Sequence, residues 1–174
     1  MRDAVLASIG RPDRVLIDVR SREERDGKLK PPWTVPNPQG QRGGRIPEAS
    51  HVPWEQQLNE DGTFKSAVEL RALYEAHGVT PDKEAISYCV IGGRSNFAWF
   101  ALSRLLGYRK ARLDDGSWLE WGTIRGVPIE RLRMAAAPAS LVTTPSSYTC
   151  LLLPGIAART WEDDARGCRG EGAR

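Results

Sequence analysis

The stretch SYCVIGGRSN, residues 87–96, sets one cysteine at the end of a short apolar run, with two glycines and an arginine just behind it. A thiol so placed has three candidate roles: an inert core residue, the nucleophile of a phosphatase, or a carrier of sulfur. If the chain turns tightly after Cys89, Gly92 and Gly93 let the successive backbone N–H groups of Val90 to Arg94 face the sulfur, and a helix starting near Ser95 adds the positive end of its dipole. Such a cradle holds the sulfur as a thiolate, the form that attacks. Arg94 adds a fixed charge able to grip a planar or tetrahedral anion. The bland alternative is that Cys89 packs as a small hydrophobe, the glycines only make a turn, and Arg94 is a solvated surface residue. Composition does not separate the two; placement at a strand end before a helix favours chemistry. A phosphatase loop would carry its arginine one residue later, where Ser95 stands, so phosphate chemistry is the weakest option and the smaller ring suits sulfur.

The elements that must position this loop follow from patterning. VLIDVR (15–20) is a β-branched run that reads as a buried strand, and SREERDG places Ser21 and Glu24 in capping-box spacing before Gly27. Residues 28–44 hold four prolines and three glycines without period and predict an irregular loop. HVPW (51–54) predicts a second short strand. SAVELRALYEAHG begins with a second capping box, Ser66 and Glu69, places Val68, Leu70, Leu73 and Tyr74 near one face, and stops at Gly78. EAISYC (84–89) is a third strand, NFAWFALSRLLGY resumes helical spacing through Phe97, Phe100, Ala101 and Leu105, KARLDD predicts a fourth strand, and GSWLEWG reads as a tryptophan-rich turn. Strands alternating with helices predict an α/β domain with a mostly parallel sheet flanked by helices, in which ligands bind at the carboxyl ends of the strands. The chain is read as one domain, 1–132, followed by an irregular tail, 133–174, of alanines and Ser/Thr/Pro clusters.

Composition narrows the function classes. The 174 residues carry a formal net charge of +3, with basic residues scattered among acidic ones, which argues against nucleic acid as a partner. No stretch has the length or apolarity of a signal peptide or a membrane span, so a cytoplasmic location is expected. Cys89, Cys150 and Cys168 make an odd count without CxxC spacing, which speaks against a disulfide framework or a zinc site. His51 and His77 lie in unrelated contexts and read as structural.

With these residues in view, the sequence resembles the rhodanese-type sulfurtransferases, and within them the active, C-terminal half of the two-domain thiosulfate and 3-mercaptopyruvate enzymes. The matching segments are LIDVRSREE (16–24), GRIPEASHVPW (44–54), EDGTFKSAVELRALYEAHGV (60–79), YCVIGGRS (88–95), LLGY (105–108) and DGSWLEW (115–121), in the family's order. The resemblance implies a three-layer α/β fold and a sulfur-transfer cycle needing no metal or organic cofactor. Cys89 would attack the outer sulfur of a small anionic donor, carry it as a persulfide held by Val90, Ile91, Gly92, Gly93, Arg94 and Ser95, and pass it to cyanide or a thiol. Arg94 would anchor the donor's anion, helped by Arg25 or Arg45. Asp18, Arg20 and Trp118 match family positions near the site floor, the first two reading as an ion pair and Trp118 as packing.

Several positions depart from the family pattern. Arg45 stands in a histidine's place, Glu48 in a glycine's, Asp114 in a tyrosine's and Arg25 in an aromatic's; Glu24 replaces a substrate-binding arginine of animal thiosulfate enzymes, and Val90 and Ile91 replace basic residues. Met1 falls just before the segment matching the active half. The resemblance then implies that a homodimer, a partner chain or the proline-rich loop covers the face of the silent half, or that the site is open. A persulfide carrier acting with a protein partner, and an inactive truncated remnant, are the competing readings.

Overall fold

The computed structural model describes residues 2–29 and 42–131; most of the proline-rich segment and all of the predicted tail after residue 132, with Cys150 and Cys168, lie outside the described residues. In chain order the elements are α1 (Arg2–Leu6), β1 (Arg14–Asp18), α2 (Arg22–Arg25), β2 (Ser50–His51), α3 (Ala67–Ala76), β3 (Glu84–Tyr88), α4 (Ser95–Phe100), β4 (Ala111–Leu113) and α5 (Ser117–Thr123). A 3-10 turn at Trp54–Gln57 follows β2, and a π-helical turn at Ala101–Leu105 continues α4.

The four strands form a parallel sheet in the order β2-β1-β3-β4. Leu16 lies opposite Ile86 and Asp18 opposite Tyr88. Because side chains alternate along a strand, this register divides the core in two. Leu16, Ile86 and Tyr88 join Val5, Ile46, Trp118 and Trp121 on one face; Ile17, Val19 and Ala85 join Leu70, Tyr74, Ala98 and Leu102 on the other. Burial on both faces explains why VLIDV reads as an apolar run broken only by Asp18. The three-layer α/β architecture expected from the sequence is the one observed.

Both capping boxes form: Ser21 accepts from the Glu24 amide and Ser66 from the Glu69 amide, with each glutamate returning to the cap's own N–H. On α3, Leu70 and Tyr74 are fully buried, each burial contributing roughly 1.5–3 kcal/mol. Val68 is 79% exposed, contrary to the expected face. Two residues before Leu70 it stands about 200° round the helix, on the solvent side. Phe100 and Leu105 are likewise exposed, while Ala98, Ala101 and Leu102 are buried. Phe97 and Phe100 instead pack on Phe64, with ring centroids 5.9 and 5.4 Å away.

Two further expectations are corrected. HVPW is not a strand throughout: β2 is only Ser50 and His51, and although the Val52 amide donates to the Asp18 carbonyl, the chain turns at Pro53 into the 3-10 turn. The segment GSWLEWG is not a turn but α5, whose Trp118 and Trp121 are buried against the sheet. The short α1 was not foreseen; it docks through Val5.

Since all strands run one way, their carboxyl ends share one edge of the sheet. The segments after β1, β2, β3 and β4 therefore converge there, bringing together Glu24, Trp54, the Cys89 loop and Ser117. Among the described residues, no helix is long and apolar enough to cross a membrane.

Candidate active site

Cys89 is the first residue beyond β3 and is buried. It lines a cavity of about 440 Å³ together with Glu24, Val90, Ile91, Gly93, Arg94 and Phe97. Of the expected loop residues, Ile91 is exposed at the rim, while Gly92 and Ser95 are buried beneath it.

Three hydrogen bonds from the start of α5 root this loop. The Cys89 amide donates to Ser117 Oγ at 3.1 Å, the Trp118 amide donates to the Cys89 carbonyl at 3.0 Å, and the Leu119 amide donates to the Val90 carbonyl at 2.9 Å. Every described peptide is trans. In a trans unit the N–H points opposite to the preceding C=O, so anchoring the carbonyls of Cys89 and Val90 on α5 turns the amides of Val90 and Ile91 away from it. Among the described residues, none of the amides of Val90 to Arg94 donates to a protein acceptor. Five successive donors are thus left without an internal partner among the described residues.

Gly92 closes the turn with φ +85, a conformation that favours glycine. A Cβ there would lie 3.0 Å from the Asp115 carbonyl oxygen and Oδ1, whereas a Cβ at Gly93 would meet nothing within 4 Å. Ser95 Oγ and Asn96 Nδ2 donate to the Gly92 carbonyl at 2.8 and 3.3 Å, tying the loop to the start of α4.

Arg94 is not a free anchor. Its Nη1 and Nη2 donate to Glu24 Oε2 and Oε1, each at 2.8 Å, in a bidentate pair. Burial works against the Glu24 carboxylate, but the Arg94 hydrogen bonds, the Ser21 amide and the Arg94 charge outweigh it and hold Glu24 below the usual range. Burial likewise opposes the Arg94 charge, and Glu24 more than compensates, keeping Arg94 above its ordinary value. Arg45 and Arg25 do not line the cavity. Arg45 pairs with Glu130, and Arg25 lies 3.6 Å from Asp26. Glu48, which replaces a glycine of the family pattern, adopts φ +63 and accepts from the Gly10 amide at 2.8 Å. The left-handed backbone explains why glycine suits that position.

Asp18 and Arg20 form a fully buried pair beneath the site. Arg20 Nε and Nη2 donate to Asp18 Oδ1 and Oδ2 at 2.9 and 2.7 Å, Nη2 also donates to the Gly44 carbonyl, and the Tyr88 hydroxyl donates to Asp18 Oδ2 at 2.8 Å. Burial opposes the Arg20 charge, and Asp18 outweighs it, holding Arg20 above its usual range. Burial, then the Asp18 charge, raises Tyr88 well above the usual tyrosine range and keeps its hydroxyl a donor. The Arg20 guanidinium stacks 4.3 Å from the Trp118 ring, and Trp118 Nε1 donates to the Arg42 carbonyl. None of these residues lines the cavity. His51 and His77 are bonded to the Arg20 and Leu73 carbonyls, and no cluster of metal-ligating side chains occurs among the described residues.

Tyr88, Ser117 and Asp114 were not legible as site residues. Ser117 sits at φ +48, fully buried, its Oγ donating to the Asp114 carbonyl at 2.6 Å. Asp114 is buried with Oδ1 unpartnered, and burial, then the charge of Glu120, pushes its carboxyl up to about 6. Only a tertiary contact marks these residues; the DGSW segment was the one available signal.

A family model, the Rhodanese-like domain, matches residues 1–123. The "Putative thiosulfate sulfurtransferase" of Mycolicibacterium smegmatis is 50% identical over 129 residues, covering 74% of this chain and 46% of that protein. The "Sulfur carrier protein TtuD" of Thermus thermophilus is 50% identical over 116 residues, 67% of this chain and 41% of that protein. The solved wild-type structure of EanB superposes with a TM-score of 0.66 at 27% identity, covering 74% of this chain and 30% of that one. An EanB structure described as carrying a cysteine persulfide with ergothioneine superposes at 0.64 and 27% identity, with coverage of 74% and 31%. The chain spans about half the length of the curated relatives it matches.

Proposed function

Since the chain belongs to the rhodanese-like domain family, we propose that it transfers sulfane sulfur through a persulfide on Cys89. The observation that carries this reading is the run of unpartnered amides from Val90 to Arg94 behind a cysteine that opens onto a cavity.

With thiosulfate as donor, the Cys89 thiolate attacks the outer sulfur. The Sγ–S bond forms as the donor's S–S bond breaks, and sulfite leaves with the electron pair. With 3-mercaptopyruvate, the C–S bond breaks instead, and the proton of the donor thiol goes to the departing carbon to give pyruvate. The loop amides without an internal partner stabilise the persulfide anion as its charge develops. Cyanide or a thiol then attacks the outer sulfur and releases the Cys89 thiolate. The name borne by the M. smegmatis relative supports thiosulfate chemistry, and the EanB persulfide form supports a cysteine-bound intermediate.

A second reading is a persulfide carrier that takes sulfur from a protein partner and works in the cytoplasm, alone or as a homodimer. It is favoured by the Glu24–Arg94 pair, which leaves no unpaired cation among the described residues lining the cavity, and by the similarity to TtuD.

The test is to incubate the protein with thiosulfate and, separately, with 3-mercaptopyruvate, then record intact mass and the thiocyanate formed on adding cyanide. One added sulfur followed by thiocyanate, both absent in Cys89→Ser and retained in Cys150→Ser, is the expected result. No sulfur gained from either donor would leave the carrier reading, tested next with a persulfidated protein donor.

A further inference from the structure

Among the described residues, the cavity beside Cys89 is lined by one acidic and one basic side chain, Glu24 and Arg94, and they neutralise each other. Glu24 holds both terminal nitrogens of Arg94 at 2.8 Å and is itself tied down by the Ser21 amide at 3.0 Å. The remaining side chains of the lining, Val90, Ile91 and Phe97, are apolar. An incoming anion reaches Arg94 only by displacing a bidentate carboxylate, and it then faces that carboxylate together with the Cys89 thiolate. Like charge in a partly desolvated site is strongly unfavourable.

Resting on the sulfur-transfer reading above, we propose that Glu24 is a donor-specificity residue: it sets the site against a dianion such as thiosulfate and in favour of sulfane sulfur carried on an uncharged thiol, R–S–SH. Such a donor needs no cation. Its R group lies on the apolar wall formed by Ile91 and Phe97, and the outer sulfur meets Cys89. The Cys89 thiolate attacks that sulfur, the Sγ–S bond forms as the donor's S–S bond breaks, and the electron pair leaves on the R–S thiolate. The proton of the transferred sulfur passes to the departing R–S thiolate, which leaves as R–SH, and the Cys89 persulfide remains as the anion held by the loop amides.

The experiment compares loading of Cys89, read by intact mass and by thiocyanate release, from thiosulfate and from the hydropersulfide of 2-mercaptoethanol. Wild type, Glu24→Gln and Glu24→Ala are compared, with Cys89→Ser as blank. Glutamine retains an oxygen for the Ser21 amide, so Glu24→Gln is expected to melt like wild type. Freeing Arg94 restores a charged hydrogen-bond donor to the cavity, worth roughly 10-fold or more in kcat/KM for thiosulfate, expressed in KM. The ratio of thiosulfate to hydropersulfide loading should rise accordingly. The wild-type preference for the hydropersulfide is itself a test should either variant melt early. A wild type that loads better from thiosulfate, or Glu24 variants that leave the donor ratio unchanged, would overturn the role of Glu24 while leaving the persulfide chemistry standing. Absence of loading on Cys89 from both donors would instead overturn the sulfur-transfer reading, and this proposal with it.

Discussion

Asp114 offers a stability prediction that depends on little beyond burial. Its carboxyl is covered at the junction of β4 and α5, Oδ1 has no partner, and burial with the nearby Glu120 charge raises it from 3.8 to about 6. As pH rises, the unfolded chain gives up this proton first, so the folded state binds more protons between those two values. Stability therefore falls as pH rises through the window from about 4 to 6 and is level above it. At 1.36 kcal/mol per pH unit the shift sets a ceiling of about 3 kcal/mol; solvent screening near the surface reduces the expected effect to ~1–2 kcal/mol. Asp114→Asn removes the ionisation and nearly preserves shape, so it should stabilise the protein by that amount at pH 8 and by little at pH 4.5. Urea unfolding of both proteins at the two pH values, with the m-value checked for constancy, reads the difference directly. A variant no more stable than wild type at pH 8, or equally advantaged at both pH values, would refute the reasoning.

The loop and its anchors give three more expected outcomes. Gly92→Ala forces a Cβ to within 3.0 Å of the Asp115 backbone at φ +85, so it should lower stability by about 1–3 kcal/mol and slow sulfur loading, whereas Gly93→Ala, which meets open space, should leave stability intact; thermal melts and mass-detected loading compare the two. Ser117→Ala leaves the Cys89 amide buried without its acceptor, a loss of about 1–3 kcal/mol, and Ser117→Gly should be the milder of the two because it relieves the φ of +48; urea midpoints rank them, an alanine variant as stable as wild type would mean that the hydroxyl is not the anchor, and the reverse order would mean that the φ of +48 is not what separates them. Ser66→Ala removes the α3 cap and should lower stability by about 1 kcal/mol without changing the rate of sulfur loading by Cys89, since α3 contributes nothing to the cavity.

Much of the fold was legible because its signals are local. The β-branched run at 15–20, the two capping boxes and the cysteine at a strand end each lie within one element, and each appears within a residue or two of its expected place. Errors arose where a local pattern has two readings. Val68 and Phe100 look apolar in sequence, yet which arc of a helix faces the sheet is settled by the buried residues around it, Leu70 and Tyr74 in one case and Ala98, Ala101 and Leu102 in the other. GSWLEWG, with a glycine at each end, reads equally as a turn or as one short helix, and only docking of Trp118 and Trp121 on the sheet resolves it.

For the site, the sequence by itself determined the placement of Cys89 at a strand end, the glycine turn behind it and the spacing to Arg94. It also contained the Asp18–Arg20 pair, two residues apart at the end of one strand. Tertiary structure alone decided the electrostatics. Glu24 and Arg94 are 70 residues apart, as are Asp18 and Tyr88, and Cys89 lies 28 residues from Ser117. A charge written in the sequence is a potential ligand or half of an ion pair according to what the fold sets within about 3 Å of it, because hydrogen bonding and desolvation act over that distance. Parallel strands bring those distant segments to one edge of the sheet, and there Arg94 is claimed by Glu24.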